Sequence, residues 1–376
     1  MNSKLRVGIG AAFAVIIVAA IWFVNQKPGT SDDLKVGVIL PLTGQSAYIG
    51  TSIRNGMEIA INEFNEREDK PFDLRVDFSD TGGQPGRAVT AWRSMMASLN
   101  PQAFIAVQEG VKGLLPLAAA DRRVLLATSV PDDGIAGVNP WGFRFFINAK
   151  TDAGMIARYA VEKLDKQRFA IIYVNDSMGT SYRDNFVSTV NDLGAEIVTA
   201  QSFGPADTDF RSQIMRVRQA NPDAVYLVGY GKSLSSIPIQ LRESGVEATL
   251  LSVGTISQPD IMDAAGDAVE GTYYTTSEFF TFAPETPELA SFVEAYQAKF
   301  GQVPVFFEVF GYDSLRLILH AAEQGGLDSD DIRQALTEVK NLALAAGKVT
   351  VGEDGDVQFP VVVKMIKDGQ WAPAKP

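Results

Sequence analysis

The fold class predicted is α/β, with two doubly wound lobes built on parallel sheets, and three observations predict it. From Leu34 onward, short continuous apolar runs alternate with segments of helical period. The runs lack the in/out alternation of a half-solvated sheet, as expected of strands covered on both faces by crossover helices. The series runs to about Ala127, meets an aromatic-rich segment at Phe143 to Ile147, and restarts at Arg168 with similar spacing. Two open sheets account for that restart better than one oversized sheet, and 376 residues suffice for about two large domains. A (β/α)8 barrel is the competing architecture. The restart weighs against it, as does Gly352-Glu353-Asp354-Gly355-Asp356, which reads as a hairpin turn.

Ahead of the first strand, Lys4 and Arg6 precede an uncharged stretch from Val7 to Val24, the n-region and h-region of an export signal. Those residues would span roughly 27 Å as a helix, just enough for a hydrocarbon core, so a retained membrane anchor competes with a cleaved signal. Val18-Ala19-Ala20 offers a small-residue cleavage site, but the apolar run continues through Ile21, Trp22, Phe23 and Val24. Residues 1–33 are therefore read as signal peptide or anchor plus linker, with Lys4 and Arg6 cytoplasmic and the rest exported.

The first strand is read in Lys35-Val36-Gly37-Val38-Ile39-Leu40, and the helix after it carries Ile53, Met57, Ala60, Ile61 and Phe64 on one face. Further strands are expected at Leu74 to Phe78, Ala103 to Val107, Val124 to Ala127, Phe169 to Val174, Ile197 to Ala200, Ala224 to Val228 and Ala248 to Val253. Among the helices between them, Tyr182, Phe186, Val190 and Leu193 share a face, as do Phe210, Ile214 and Val217. Two long amphipathic helices follow, one with Leu289, Phe292, Val293, Tyr296 and Phe300, the other centred on Tyr312 to Glu323. A strand-like pair around Lys348 and Val361 to Ile366 closes the chain.

Composition excludes several classes of function. With 33 basic and 45 acidic residues the formal charge is −12, which repels phosphate backbones, so no nucleic acid is expected. The absence of cysteine removes disulfides, thiolate metal sites and thiol nucleophiles, and the single His320 removes any multi-histidine metal centre. Gly231-Lys232-Ser233 resembles the end of a phosphate-binding loop, but Tyr226 stands where its first glycine belongs. No Gly-x-Ser-x-Gly elbow occurs, and His320, between Leu319 and Ala321 in a helix, reads as a packed residue. Neither catalysis nor a cofactor or metal is expected.

What remains is a set of residues just past strand ends, where open parallel sheets collect ligands. Asp80, Glu109 and Asp176 stand there, and Asp132-Asp133-Gly134 reads either as a turn or as a carboxylate facing a ligand. Tyr48 and Tyr230 follow strand runs directly and should line a cleft between lobes. Aromatics without a catalytic constellation suggest binding rather than turnover.

Several of these segments resemble the type 1 periplasmic binding proteins, in the branched-chain amino acid (leucine-binding-protein-like) branch of ABC transporter substrate-binding proteins. The opening Pro41-Leu42-Thr43-Gly44, Tyr48-Ile49-Gly50, Gly56-Met57-Glu58 and Ala60-Ile61-Asn62 carries the likeness. So do Asp80, Arg168-Phe169-Ala170-Ile171-Ile172 with Met178-Gly179, Thr208-Asp209-Phe210, Pro222-Asp223-Ala224-Val225-Tyr226 with Gly229-Tyr230, and Glu270-Gly271. No single piece is specific; their order and spacing from Leu34 to Trp371 are.

The resemblance implies two Rossmann-type lobes joined by three crossings that close on a small solute, which is handed to an ABC permease in the periplasm or another extracytoplasmic space. Lobe one would be 34–148 plus 279–350 and lobe two 149–278 plus 351–376, the crossings lying at the segment ending at Asn148, at Ser277 to Phe279 and near Val361. Tyr48, Tyr230 and Phe307 match ligand-contacting aromatics of the family. The serine and threonine that grip an amino acid correspond to Val111 and Asp132, the second far-lobe tyrosine to Met178, and the acidic ammonium partner to Gly254. The α-amino-acid clamp is therefore expected to be dismantled, with a different small organic ligand bound and its donor group meeting Asp132. Backbone amides at Gly110 and Thr255 would serve polar ligand groups. A membrane-tethered sensor of the same fold, signalling to a partner protein, is the alternative.

Overall fold

The computed structural model describes residues 33–44, 46–107, 110–131, 134–278 and 286–374. The export segment, Glu109, Asp132, Asp133 and Phe279 lie outside the described residues.

The first sheet follows the expected βα rhythm: β1 (Asp33–Leu40), α1 (Ala47–Glu66), β2 (Asp73–Asp80), α2 (Pro85–Ser98), β3 (Ala103–Ala106), α3 (Gly110–Asp121), β4 (Val124–Thr128) and β5 (Gly142–Phe145). All five strands are parallel in the order β2-β1-β3-β4-β5. β3 and β4 are buried at every position, because α-helical crossovers cover both faces. Of these strands only β5 was not legible beforehand: within the aromatic-rich segment it is a strand, and its Arg144 is buried.

The chain then builds α4 (Ala149–Glu162), β6 (Arg168–Val174), α5 (Ser177–Asp192), β7 (Glu196–Phe203), α6 (Arg211–Ala220), β8 (Ala224–Val228), α7 (Lys232–Glu243), β9 (Thr249–Ser252), α8 (Pro259–Ala265) and β10 (Tyr273–Ser277). Helices α9 (Pro287–Phe300), α10 (Phe306–Gly325) and α11 (Ser329–Glu338) follow, then β11 (Leu342–Leu344), β12 (Gly347–Val351), β13 (Val357–Gln358), β14 (Val361–Lys367) and β15 (Gln370–Pro373). The second sheet has the order β15-β14-β10-β9-β8-β6-β7.

That second sheet is not parallel throughout. β14 runs antiparallel to β10, and β15 antiparallel to β14. The β14–β15 connection is Asp368-Gly369, both at positive φ (53° and 67°), which suits a tight two-residue hairpin; a parallel return would need a dozen or more residues. The strands around Lys348 and Val361 to Ile366 do not pair with each other. β12 joins β11 and β13 in a small antiparallel sheet, with Val351 opposite Val357 across the expected Gly352 to Asp356 turn.

Two apolar cores form, one on each large sheet. The first contains Leu34 to Ile147, Leu289 to Leu344 and also Val349, Val351 and Val357; the second contains Ala149 to Tyr274 and Ile366. The chain thus passes between cores beside Asn148, between Tyr274 and Leu289, and between Val357 and Ile366. Two of these passages are tied together. Arg144 donates from Nε and Nη2 to the two carboxylate oxygens of Asp356 at 2.8 and 2.7 Å, and Asn148 Nδ2 donates to Asp356 at 2.8 Å. The Arg144 N–H also donates to the Gly355 carbonyl. Asn148 caps α4 through its other amide atom, accepting from the Thr151 N–H.

Helices α1 and α10 cross at backbone contact. A Cβ on Gly56 would strike the Glu308 carbonyl, and one on Gly311 would strike the Ile53 carbonyl. This close approach seats the start of α10 beside the start of α1.

Candidate functional site

The parallel part of each large sheet has one place where the strand order reverses, and open α/β sheets form ligand crevices at the carboxyl ends of the strands there. In the first sheet the chain goes from β1 to β2 on one side and to β3 on the other, so the crevice lies between β1 and β3. In the second it lies between β6 and β8. The candidate residues gather at these two points.

At the first, Tyr48 stands in the opening turn of α1 with 48% of its surface exposed, and its ring meets Phe307 edge-on at 6.1 Å. Phe307 belongs to α10 and reaches this place only because of the glycine crossing; it is itself largely buried. Gly110, partly buried, opens α3 after β3. Val111 is fully buried in the first core. Asp80 serves the loop rather than the gap. Its Oδ1 accepts the N–H groups of Leu42, Thr43 and Gly82 at 2.7, 3.1 and 2.8 Å, and its Oδ2 accepts the Thr43 hydroxyl at 2.6 Å. These bonds, the Thr43 hydroxyl foremost, pull its pKa down to about 2.

At the second point, Asp176 follows β6 and Tyr230 follows β8, and the Tyr230 hydroxyl donates to Asp176 Oδ2 at 2.9 Å across the reversal. Asp176 is held by its other oxygen, which accepts the Gly179 N–H at 2.8 Å and caps α5. A Cβ on Gly179 would collide with the Val174 carbonyl, so this helix start can press onto the end of β6 only with glycine there. The Tyr230 carbonyl accepts the Ser233 hydroxyl at 2.8 Å, which pins the residue at its backbone as well. Met178 packs partly buried on the second core. Gly254 and Thr255 follow β9, both partly buried, with the Thr255 hydroxyl donating to the Gly229 carbonyl at 3.2 Å.

The Tyr48 hydroxyl is raised above the ordinary tyrosine range, first by desolvation and then by the negative charge of Asp260 on α8 of the other sheet. Reading the sequence missed Asp260 and the Asp176–Tyr230 bond. Asp176 carried a signal, its place past a strand end; its partner 54 positions on could be found only from strand order.

Elsewhere, a cavity of about 670 Å³ lies on the far side of the first core, lined by His320, Asp331, Gln334, Glu338 and Lys340 among others. Gln334 donates to Glu338, and Lys340 to the Val351 carbonyl. Burial lowers the His320 pKa, which suits a packed imidazole rather than a cation. No cluster of metal-ligating side chains occurs among the described residues.

The periplasmic binding protein sequence model matches residues 33–370, nearly the whole described chain. The chain belongs to the periplasmic binding protein family. Curated relatives of this binding protein include Leu/Ile/Val-binding protein homolog 3 of Brucella melitensis, 25% identical over 96% of each chain. Another is the Leu/Ile/Val-binding protein BraC3 of Rhizobium johnstonii, 26% identical over 91% of this chain and 92% of the relative. Among solved structures, the branched-chain amino acid transporter substrate-binding protein LivJ of Streptococcus pneumoniae, in complex with isoleucine, superposes with a TM-score of 0.81. It is 20% identical, over 91% of this chain and 99% of that one. An ABC transporter solute-binding protein of Rhodopseudomonas palustris, in complex with 3,4-dihydroxybenzoic acid, has a TM-score of 0.79 at 21% identity over 90% and 95%. Members of this family bind solutes without transforming them, so the binding protein is a non-enzymatic, extracytoplasmic component. Among the described residues no helix is long and apolar enough to cross a membrane.

Proposed function

We propose that the protein captures a small organic solute between its two cores and delivers it to an ABC permease. The observation that carries this reading is the placement of partly exposed tyrosines at both strand-order reversals, Tyr48 on one sheet and Tyr230 on the other. A solute held there touches both lobes only when they close, so its binding energy shifts an open–closed equilibrium toward the closed form. Lobe one comprises 34–148 plus 279–358 and lobe two 149–278 plus 359–376, where the sequence placed the last boundary at 350. The membership of Val351 and Val357 in the first core supports moving the last boundary beyond β13.

Tyr48 and Phe307 supply ring surface from lobe one; Tyr230, Met178, Gly254 and Thr255 line lobe two, and Gly110 offers a backbone amide. Glu109 and Asp132 complete the set by their positions after β3 and β4. Val111, enclosed in the core, is left out of direct contact. The relatives named as Leu/Ile/Val-binding proteins support transport over signalling, while Asp132, standing where the family resemblance expects a hydroxyl, favours a solute other than leucine. Residues 1–24 would direct export and, if retained, anchor the protein; the mass of the exported chain tests retention. Capture is tested by a thermal-shift panel of amino acids, amides, amines and aromatic acids. A solute that stabilises the wild type and does so much less for Tyr230→Ala supports it, and a panel without any stabilising solute contradicts it.

A further inference from the structure

The Asp176–Tyr230 bond spans the lobe-two reversal and sets the polarity of the surface there. A tyrosine hydroxyl has a single O–H to donate, and here it goes to the Asp176 carboxylate, which can only accept. A solute group that meets the Tyr230 oxygen must therefore be a donor. Asp176 cannot turn away to release the proton, because its second oxygen is engaged by the Gly179 N–H in the cap of α5. The Ser233 hydroxyl on the Tyr230 carbonyl fixes the backbone from which the tyrosine ring projects. Across the gap, the Asp260 carboxylate adds negative charge near the Tyr48 hydroxyl.

We propose that Asp176 is a positioning residue that determines specificity: acting through Tyr230, it makes the lobe-two side select solutes presenting an ammonium, amide N–H or hydroxyl donor and reject those presenting a carboxylate. The inference rests on the solute-capture reading and adds the chemical class of the solute at one end.

Asp176→Asn tests it, since asparagine caps a helix about as well as aspartate. Its oxygen still accepts from Gly179, so its amide faces Tyr230 and donates; the tyrosine proton is then turned out toward the gap. Two matched pairs serve as probes, benzylamine against benzoate and leucinamide against isovalerate, with affinities read by calorimetry. The wild type binds the donor member of at least one pair more tightly. Asp176→Asn shifts the ratio of the two affinities toward the carboxylate by about tenfold, the size of one hydrogen bond to a charged group, at an unchanged melting temperature. In a Tyr230→Phe background Asp176→Asn moves the ratio much less, only by the charge removed, and an equally large shift there would overturn the role given to Tyr230. A uniform loss of affinity for all probes would mark Asp176 as merely structural and overturn the proposal. Preference of the wild type for the carboxylates would overturn it while leaving solute capture standing; no binding of any probe, with none in the wider panel, would overturn both.

Discussion

Asp80 and Asp152 lie in opposite environments and should give opposite responses to pH. Asp80 is bound by three backbone N–H groups and a hydroxyl, which hold its pKa near 2 in the folded chain against about 3.9 unfolded. Its contribution is full above the unfolded value and is lost as pH falls from about 4 through 2. Asp80→Ala should cost about 1–3 kcal/mol at neutral pH and little near pH 2, read by denaturant melts at both. Asp152, in the first turn of α4, is fully enclosed; Tyr182 donates to its Oδ2 at 2.8 Å, and burial pushes its pKa to about 7. The folded chain therefore holds a proton that the unfolded chain releases above about pH 4, so stability is lost as pH rises toward 7. Asp152→Asn should gain stability over the wild type at pH 8 and little at pH 4; an equal effect at both would show that Asp152 is ionised when folded.

Among elements, the crossing of α1 and α10 and the clasp between chain passages matter most. Alanine normally improves a helix over glycine by up to about 1 kcal/mol, yet Gly56→Ala and Gly311→Ala should destabilise by about 1–3 kcal/mol, because each methyl meets a backbone carbonyl. The same shift would move Phe307 away from Tyr48 and weaken solute binding, which a calorimetric titration reads. Asp356→Ala leaves Arg144 buried without its carboxylate and should cost about 3–5 kcal/mol, whereas replacing both partners by apolar residues should cost far less. Neither contact was legible in the sequence. Arg144 lies 212 positions from Asp356, and a lone arginine among aromatics hid the strand character of β5. The buried strands β3, β4, β6 and β8 were legible, because burial on both faces leaves an unbroken apolar run that needs no partner to be recognised. The antiparallel β14–β15 edge was not, since nothing local in Val361 to Lys367 says which sheet the strand joins.

At the scale of the molecule, the candidate site was legible as a pair of places, Tyr48 and Tyr230 past strand ends, but not as a set of contacts. Asp260 and the bond from Tyr230 to Asp176 entered only with the three-dimensional structure. The central claim is that two lobes approach each other around a solute, pivoting on the passages that Arg144, Asn148 and Asp356 tie together. A chain without cysteine makes that motion directly measurable. Gln84→Cys beyond β2 and Ala206→Cys beyond β7, both exposed, place spin labels on opposite lobes with no background reaction. With a solute from the stabilising panel, the account predicts that the interlabel distance shortens and its distribution narrows, and that Tyr230→Ala abolishes the change at the same solute concentration. A distance distribution that stays the same while calorimetry records the solute as bound would contradict it.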